Sequence, residues 1–124
     1  MPIPETTLYA RLRGYDGIAA LVGDLGPRLV GDARLGRFWQ HRGEDGVRRE
    51  VQLLVNFLCT VSGGPMVYTG RDMTTSHKGM RIDEGDWQVF TGHLAAALAS
   101  RNVGAAEQSE VLAFIAGTKG EIVE

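Results

Sequence analysis

The chain has 124 residues, a net charge of −2, and 44% hydrophobic and 23% charged residues. That is the composition of one ordinary globular domain able to bury one sizeable core. The balanced charge leaves no basic stripe for a nucleic acid, and no apolar run approaches the roughly 18 residues of a membrane-crossing helix.

The opening Met1-Pro2-Ile3-Pro4-Glu5 has no positive region leading into an apolar stretch, so no signal peptide is expected and residues 1–6 should be flexible. Residues 7–12 fit one or two helical turns. Asp16 is placed to cap a second helix running to about Val30, in which Ile18, Leu21, Val22, Leu25 and Leu29 recur at helical spacing. Pro27 removes one N–H from that pattern and crowds the preceding turn, so a bend is expected around residues 23–27. Residues 33–39 read as a short turn ending in Phe38 and Trp39, followed by a polar stretch that holds His41. A third helix over roughly residues 46–61 is marked by Val47, Val51, Leu54, Val55 and Leu58, and Ser62-Gly63-Gly64-Pro65 stops it. Cys59 in this helix is the single cysteine, so no internal disulfide forms and a reducing, cytoplasmic setting is expected.

After a loop over residues 63–73, a short turn near 74–80 carries His77. Asp83 and Asp86 look like the capped start of a long helix to about residue 100, with Trp87, Phe90, Leu94, Ala97 and Leu98 on its buried face. Residues 102–104 break it. A last helix, roughly 105–121, presents Val111, Leu112, Phe114 and Ile115. The expectation is a single all-α domain spanning residues 1–124.

The chemistry concentrates in GGPMVYTGRDMTTSHKGM, residues 63–80. A histidine on a short turn beside a rigid loop can stand at the rim of a cleft between helices. A neutral imidazole is a good axial ligand for haem iron, provided its other nitrogen finds an acceptor such as a carbonyl of the same turn. Equally, a lone histidine on a polar turn can be an ordinary surface residue. His93, at the margin of an apolar face, reads as a packed or partly exposed side chain, and His41 as a solvated one.

Gly63, Gly64, Pro65, Tyr68, Thr69, Gly70, Met73 and His77 together resemble the loop and proximal-histidine segment of the group I truncated haemoglobins. Leu8-Tyr9-Ala10-Arg11-Leu12 is similar to the opening helix of that family, and Asp32-Ala33-Arg34-Leu35 with Phe38-Trp39 to its segment before the haem. Gly92-His93-Leu94 and Glu121-Ile122-Val123 also match in character. The resemblance implies a two-over-two helical sandwich around haem b, iron protoporphyrin IX, with His77 as the iron's proximal ligand. It implies a distal wall of Val47, Val51, Leu54 and Leu58, Phe38 and Trp39 at the ring edge, and Met73, Ile82, Trp87, Phe90 and Phe114 on the proximal side. Tyr68 and Arg71 are the candidates for the propionates.

The chain departs from the pattern on the distal side. Where the family has a phenylalanine and a ligand-binding tyrosine, this sequence has Leu25 and Gly26. A distal glutamine of the family aligns with Leu54. Glu50 holds the earlier distal position, with Gln52 a polar neighbour that could turn inward. Without the tyrosine donor, bound dioxygen should be held less firmly, by about 1–3 kcal/mol. The leading expectation is a monomeric globin that binds dioxygen, nitric oxide or another small ligand, with nitric oxide dioxygenation supported by a reductase. The alternative takes Gly26 as opening the pocket for peroxidase-like or carbene-transfer catalysis, in a natural or an engineered chain. A cofactor-free helical interaction module is the third reading.

Overall fold

The computed structural model describes residues 6–40, 42–65 and 68–124; expectations for residues 1–5 and for His41 lie outside the described residues. In chain order the elements are α1 (Leu8–Arg11), α2 (Gly14–Val30), a 3-10 turn (Gly36–Phe38), α3 (Glu44–Val61), α4 (Met73–His77), α5 (Glu84–Ser100), α6 (Ala105–Ala116) and α7 (Lys119–Ile122). No strand occurs among the described residues, so the fold is all-α as expected.

Several boundaries differ from those read off the sequence, for local reasons. Helix α2 begins before Asp16: Arg13, left-handed at φ 69°, occupies the capping position, and Asp16 lies in the first turn. There its charge suits the positive end of the helix. Pro27 sits close to the end of α2, and the helix continues through it to Val30. Helix α5 starts with a reciprocal cap. Asp86 N–H donates to Asp83 Oδ1 at 2.8 Å and Asp83 N–H donates to Asp86 Oδ2 at 3.1 Å. The single last helix expected from the sequence is two, α6 and α7. The Thr118 hydroxyl donates to the Ile115 carbonyl at 2.7 Å, a local bond that competes with the helical ladder at the break.

Helix α2 lies against α3 and α5, α5 packs on α6, and α1 touches both α2 and α6. The pairs α2/α3 and α5/α6 thus form two layers. Ile18, Leu21 and Leu25 of α2 meet Leu94 and Leu98 of α5 in the most buried part of the core. Burying five such side chains contributes on the order of 10 kcal/mol before chain entropy is set against it. Cys59 is fully buried there, and burial pushes its thiol pKa up, which keeps it in the unreactive protonated form.

Gly26 faces α3, where a Cβ built on it would meet Val51 Cγ2 at 3.6 Å, an ordinary contact. A helical glycine with room for a methyl group carries an avoidable entropy cost. Gly26→Ala should therefore raise the unfolding free energy by about 0.5–1 kcal/mol in urea denaturation. Unchanged or reduced stability would show that the α2–α3 contact cannot admit the methyl.

Candidate functional site

The sandwich leaves a cleft of about 300 Å³. Helix α3 contributes Glu50, Leu53, Leu54 and Phe57 to it, spaced at i, i+3, i+4 and i+7 and so sharing one face. Helix α4 contributes Met73, Ser76 and His77, and α5 contributes Asp86, Trp87 and Phe90. Leu29, Leu35, Phe38, Trp39, Tyr68, Met80, Ile82, Ile115 and Ile122 add to a wall that is mostly apolar.

His77 ends a five-residue helix whose start is capped by Asp72, the carboxylate accepting from Thr75 N–H at 2.6 Å. Four residues earlier in the same turn, the Met73 carbonyl lies 2.9 Å from His77 Nδ1. A carbonyl can only accept, so Nδ1 must carry the hydrogen; the Ser76 hydroxyl, also 2.9 Å away, completes the grip. Nε2 is left as a bare lone pair with no hydrogen-bond partner among the described residues, on a side chain that lines the cleft. Nor do the described residues gather three or more His, Cys, Asp or Glu side chains into a metal-binding group. The site therefore offers one imidazole ligand and apolar walls.

The turn is braced from the far end of the sequence. Glu124 accepts from Gly79 N–H at 2.8 Å and from Arg81 N–H at 2.5 Å, and its own N–H donates to the Ile82 carbonyl at 2.8 Å. Those two N–H groups hold the Glu124 carboxyl below its ordinary pKa. Gly79 at φ 85° and Arg81 at φ 56° both take the left-handed conformation that turns the chain from α4 toward α5.

The aromatic wall is fixed by charge. Asp86, 1% exposed, accepts from Arg34 Nε at 2.7 Å and from Arg37 Nη2 at 2.6 Å. The Arg37 guanidinium also lies 4.2 Å from the centroid of the Phe38 ring. Phe38 meets Trp39 edge-on at 6.2 Å, and Trp39 Nε1 donates to Glu50 Oε2 at 2.9 Å. Arg42 donates to the other oxygen of Glu50.

Residues 7–124 match the bacterial-like globin family. A group 1 truncated haemoglobin from Nostoc sp. is 30% identical over 118 residues, covering 95% of this chain and 98% of that protein. The chain belongs to the group I truncated haemoglobins. Another relative, from Tetrahymena pyriformis, is 27% identical over 117 residues and covers 94% of each chain. The crystal structure of a truncated haemoglobin from that organism in its Fe(III) form superimposes with a TM-score of 0.87 at 26% identity, over 95% of this chain and 98% of that one. A group II truncated haemoglobin from Bacillus anthracis, at 19% identity and a TM-score of 0.84, shares the fold.

Globins of this family bind haem, and the residues present fit it: a mostly apolar slot, and a single imidazole whose tautomer is set to present Nε2. Of the residues singled out from the sequence of this truncated haemoglobin, the cleft gathers Phe38, Trp39, Glu50, Leu54, Tyr68, Met73, His77, Ile82, Trp87 and Phe90. Val47, Val51, Leu58, Arg71 and Phe114 are not in its lining. The reason on α3 is geometric. Val51 looks toward Gly26, and Leu58 joins Leu8, Leu12 and Leu21 in a separate apolar nook. Phe114 edges that same nook at 44% exposure, away from the cleft. Arg71 is exposed and offers only its carbonyl, to the Tyr68 hydroxyl at 2.9 Å.

The distal expectations need correction as well. Leu25 is buried in the core and Gly26 faces Val51, so neither opens the cleft; Leu29, one turn on, is the α2 residue that reaches it. Gln52 does not turn inward. It is exposed and bonded to Tyr15 at 3.0 Å and to Asn56 at 3.0 Å. His93, 27% exposed, donates through Nε2 to Asp32 at 2.8 Å. Leu53 and Phe57 were missed, although the spacing from Glu50 placed them on its face.

Burial by itself would push the Asp86 carboxyl up. The hydrogen bonds from Arg37 and Arg34 and from the Asp83 backbone outweigh it and hold the carboxyl well below the usual aspartate range. A folded pKa lowered below its unfolded value gives stability that is present above about pH 4 and lost as the pH falls further. Asp86→Asn should cost about 2 kcal/mol, less than for a fully buried ion pair because both guanidiniums are partly solvated. It should also flatten the acid limb of a stability–pH curve; an unchanged limb would remove Asp86 from acid unfolding.

Proposed function

We propose that this chain holds haem b, that His77 Nε2 would bind its iron, and that dioxygen and other small ligands bind in the cleft. The observation that carries the reading is the 2.9 Å bond between His77 Nδ1 and the Met73 carbonyl, which commits one ring nitrogen and leaves the other without a partner on a side chain that lines the apolar cleft. Bound haem supplies an iron at which nitric oxide and dioxygen can be converted to nitrate, with a reductase returning the iron to the ferrous state.

The protein's own contributions are physical. Leu53, Leu54 and Phe57 form an apolar wall that limits water and admits gases. The Met73 carbonyl fixes the tautomer and the plane of the imidazole. Among the cleft-lining donors, the Trp39 N–H is already given to Glu50 and the Tyr68 hydroxyl to the Arg71 carbonyl. Dioxygen is therefore expected to leave quickly and the ferrous form to oxidise readily.

Titration of the apoprotein with haemin should give an intense Soret band that saturates at one equivalent. His77→Ala should abolish the five-coordinate ferrous spectrum of the native protein, with added imidazole restoring it. A spectrum that survives the substitution would assign the iron to another ligand.

A further inference from the structure

The strip of chain that follows the cleft histidine serves two partners. His77, Met80 and Ile82 line the cleft. Gly79 and Arg81, which lie between them, give their N–H groups to separate oxygens of the Glu124 carboxylate, at 2.8 and 2.5 Å. The Glu124 N–H donates in turn to the Ile82 carbonyl at 2.8 Å. Ile122, two residues before Glu124, is buried and lines the same cleft.

The strip has little of its own to hold it. Helix α4 ends at His77, and Lys78 is already extended at ψ 131°. A backbone bond of 3.2 Å from Met80 N–H to the His77 carbonyl closes the turn. Arg81, at φ 56°, takes a left-handed conformation that a residue with a Cβ keeps only where its surroundings fix it. The group that fixes it is Glu124, an exposed residue beyond α7 that reaches across to this turn.

We propose that Glu124 is a positioning residue for the iron ligand: by fixing residues 79–82 it sets the orientation of His77 and, through it, how firmly haem is held. The proposal rests on the haem reading. Once the strip is released, the last turn of α4 gains freedom. The 2.9 Å bond from His77 Nδ1 to the Met73 carbonyl spans that turn and loses its fixed geometry. Groups that orient a ligating histidine without touching the metal commonly change its hold by about tenfold or more.

The test uses the haem-loaded protein, each variant first being titrated with haemin. Glu124→Ala removes both acceptor oxygens from an exposed position and leaves the buried core untouched. Glu124→Gln drops the charge and keeps one acceptor oxygen. In Glu124→Ala, amide exchange at Gly79 and Arg81 should quicken, haem should pass to excess apomyoglobin about tenfold faster, and the iron–histidine stretching band of the ferrous protein should shift. Glu124→Gln should lie between this variant and the native protein. Glu121→Ala removes the same charge from an exposed position on α7 and should leave all three readouts unchanged. Faster haem release with an unmoved iron–histidine band would make Glu124 a general support of the fold and overturn the proposal. Unchanged amide exchange at Gly79 and Arg81 would overturn it too. A native chain that shows no Soret band overturns the haem reading and this proposal with it, whereas normal loading with an unmoved band removes only the role given to Glu124.

Discussion

A single backbone carbonyl decides what the cleft can hold. By accepting the Nδ1 hydrogen of His77, the Met73 carbonyl turns an amphoteric ring into a one-sided ligand. The bond spans one helical turn, so it depends only on α4 being helical, and α4 is short enough to need outside help. Asp72 supplies that help at its start and Glu124 beyond its end. The elements around α4 bring apolar side chains to the cleft that His77 lines.

The helices themselves were largely legible in the sequence, because periodicity reports burial and most buried residues lie on the expected stripes. Ile18, Leu21, Val22, Leu25 and Leu29 are all buried. The boundaries were less legible where local chemistry decided them. Arg13 in a left-handed conformation starts α2 without a capping side chain, and nothing in its residue type announces that. The break before α7 depends on how the Thr118 hydroxyl bonds, which the apolar pattern does not report.

The site was legible in outline and misread in detail. The motif around His77 marks a rigid turn on the cleft wall, since glycines and a capping aspartate leave few ways to fold it. On α3, however, apolar character does not separate the two faces of the helix. One set of apolar residues meets α2 and the core, and another meets the cleft. A polar residue, Glu50, was the better guide to the cleft face. The pairing of Asp86 with Arg34 and Arg37 joins positions some fifty residues apart, and single-sequence reading has no term for it.

A slot of about 300 Å³ presents leucines, isoleucines and aromatic rings to whatever guest it holds. A guest that binds only the folded chain shifts the folding equilibrium by mass action. Haem that binds only the folded chain would therefore stabilise the fold in step with its free concentration, through the same side chains that line the cleft.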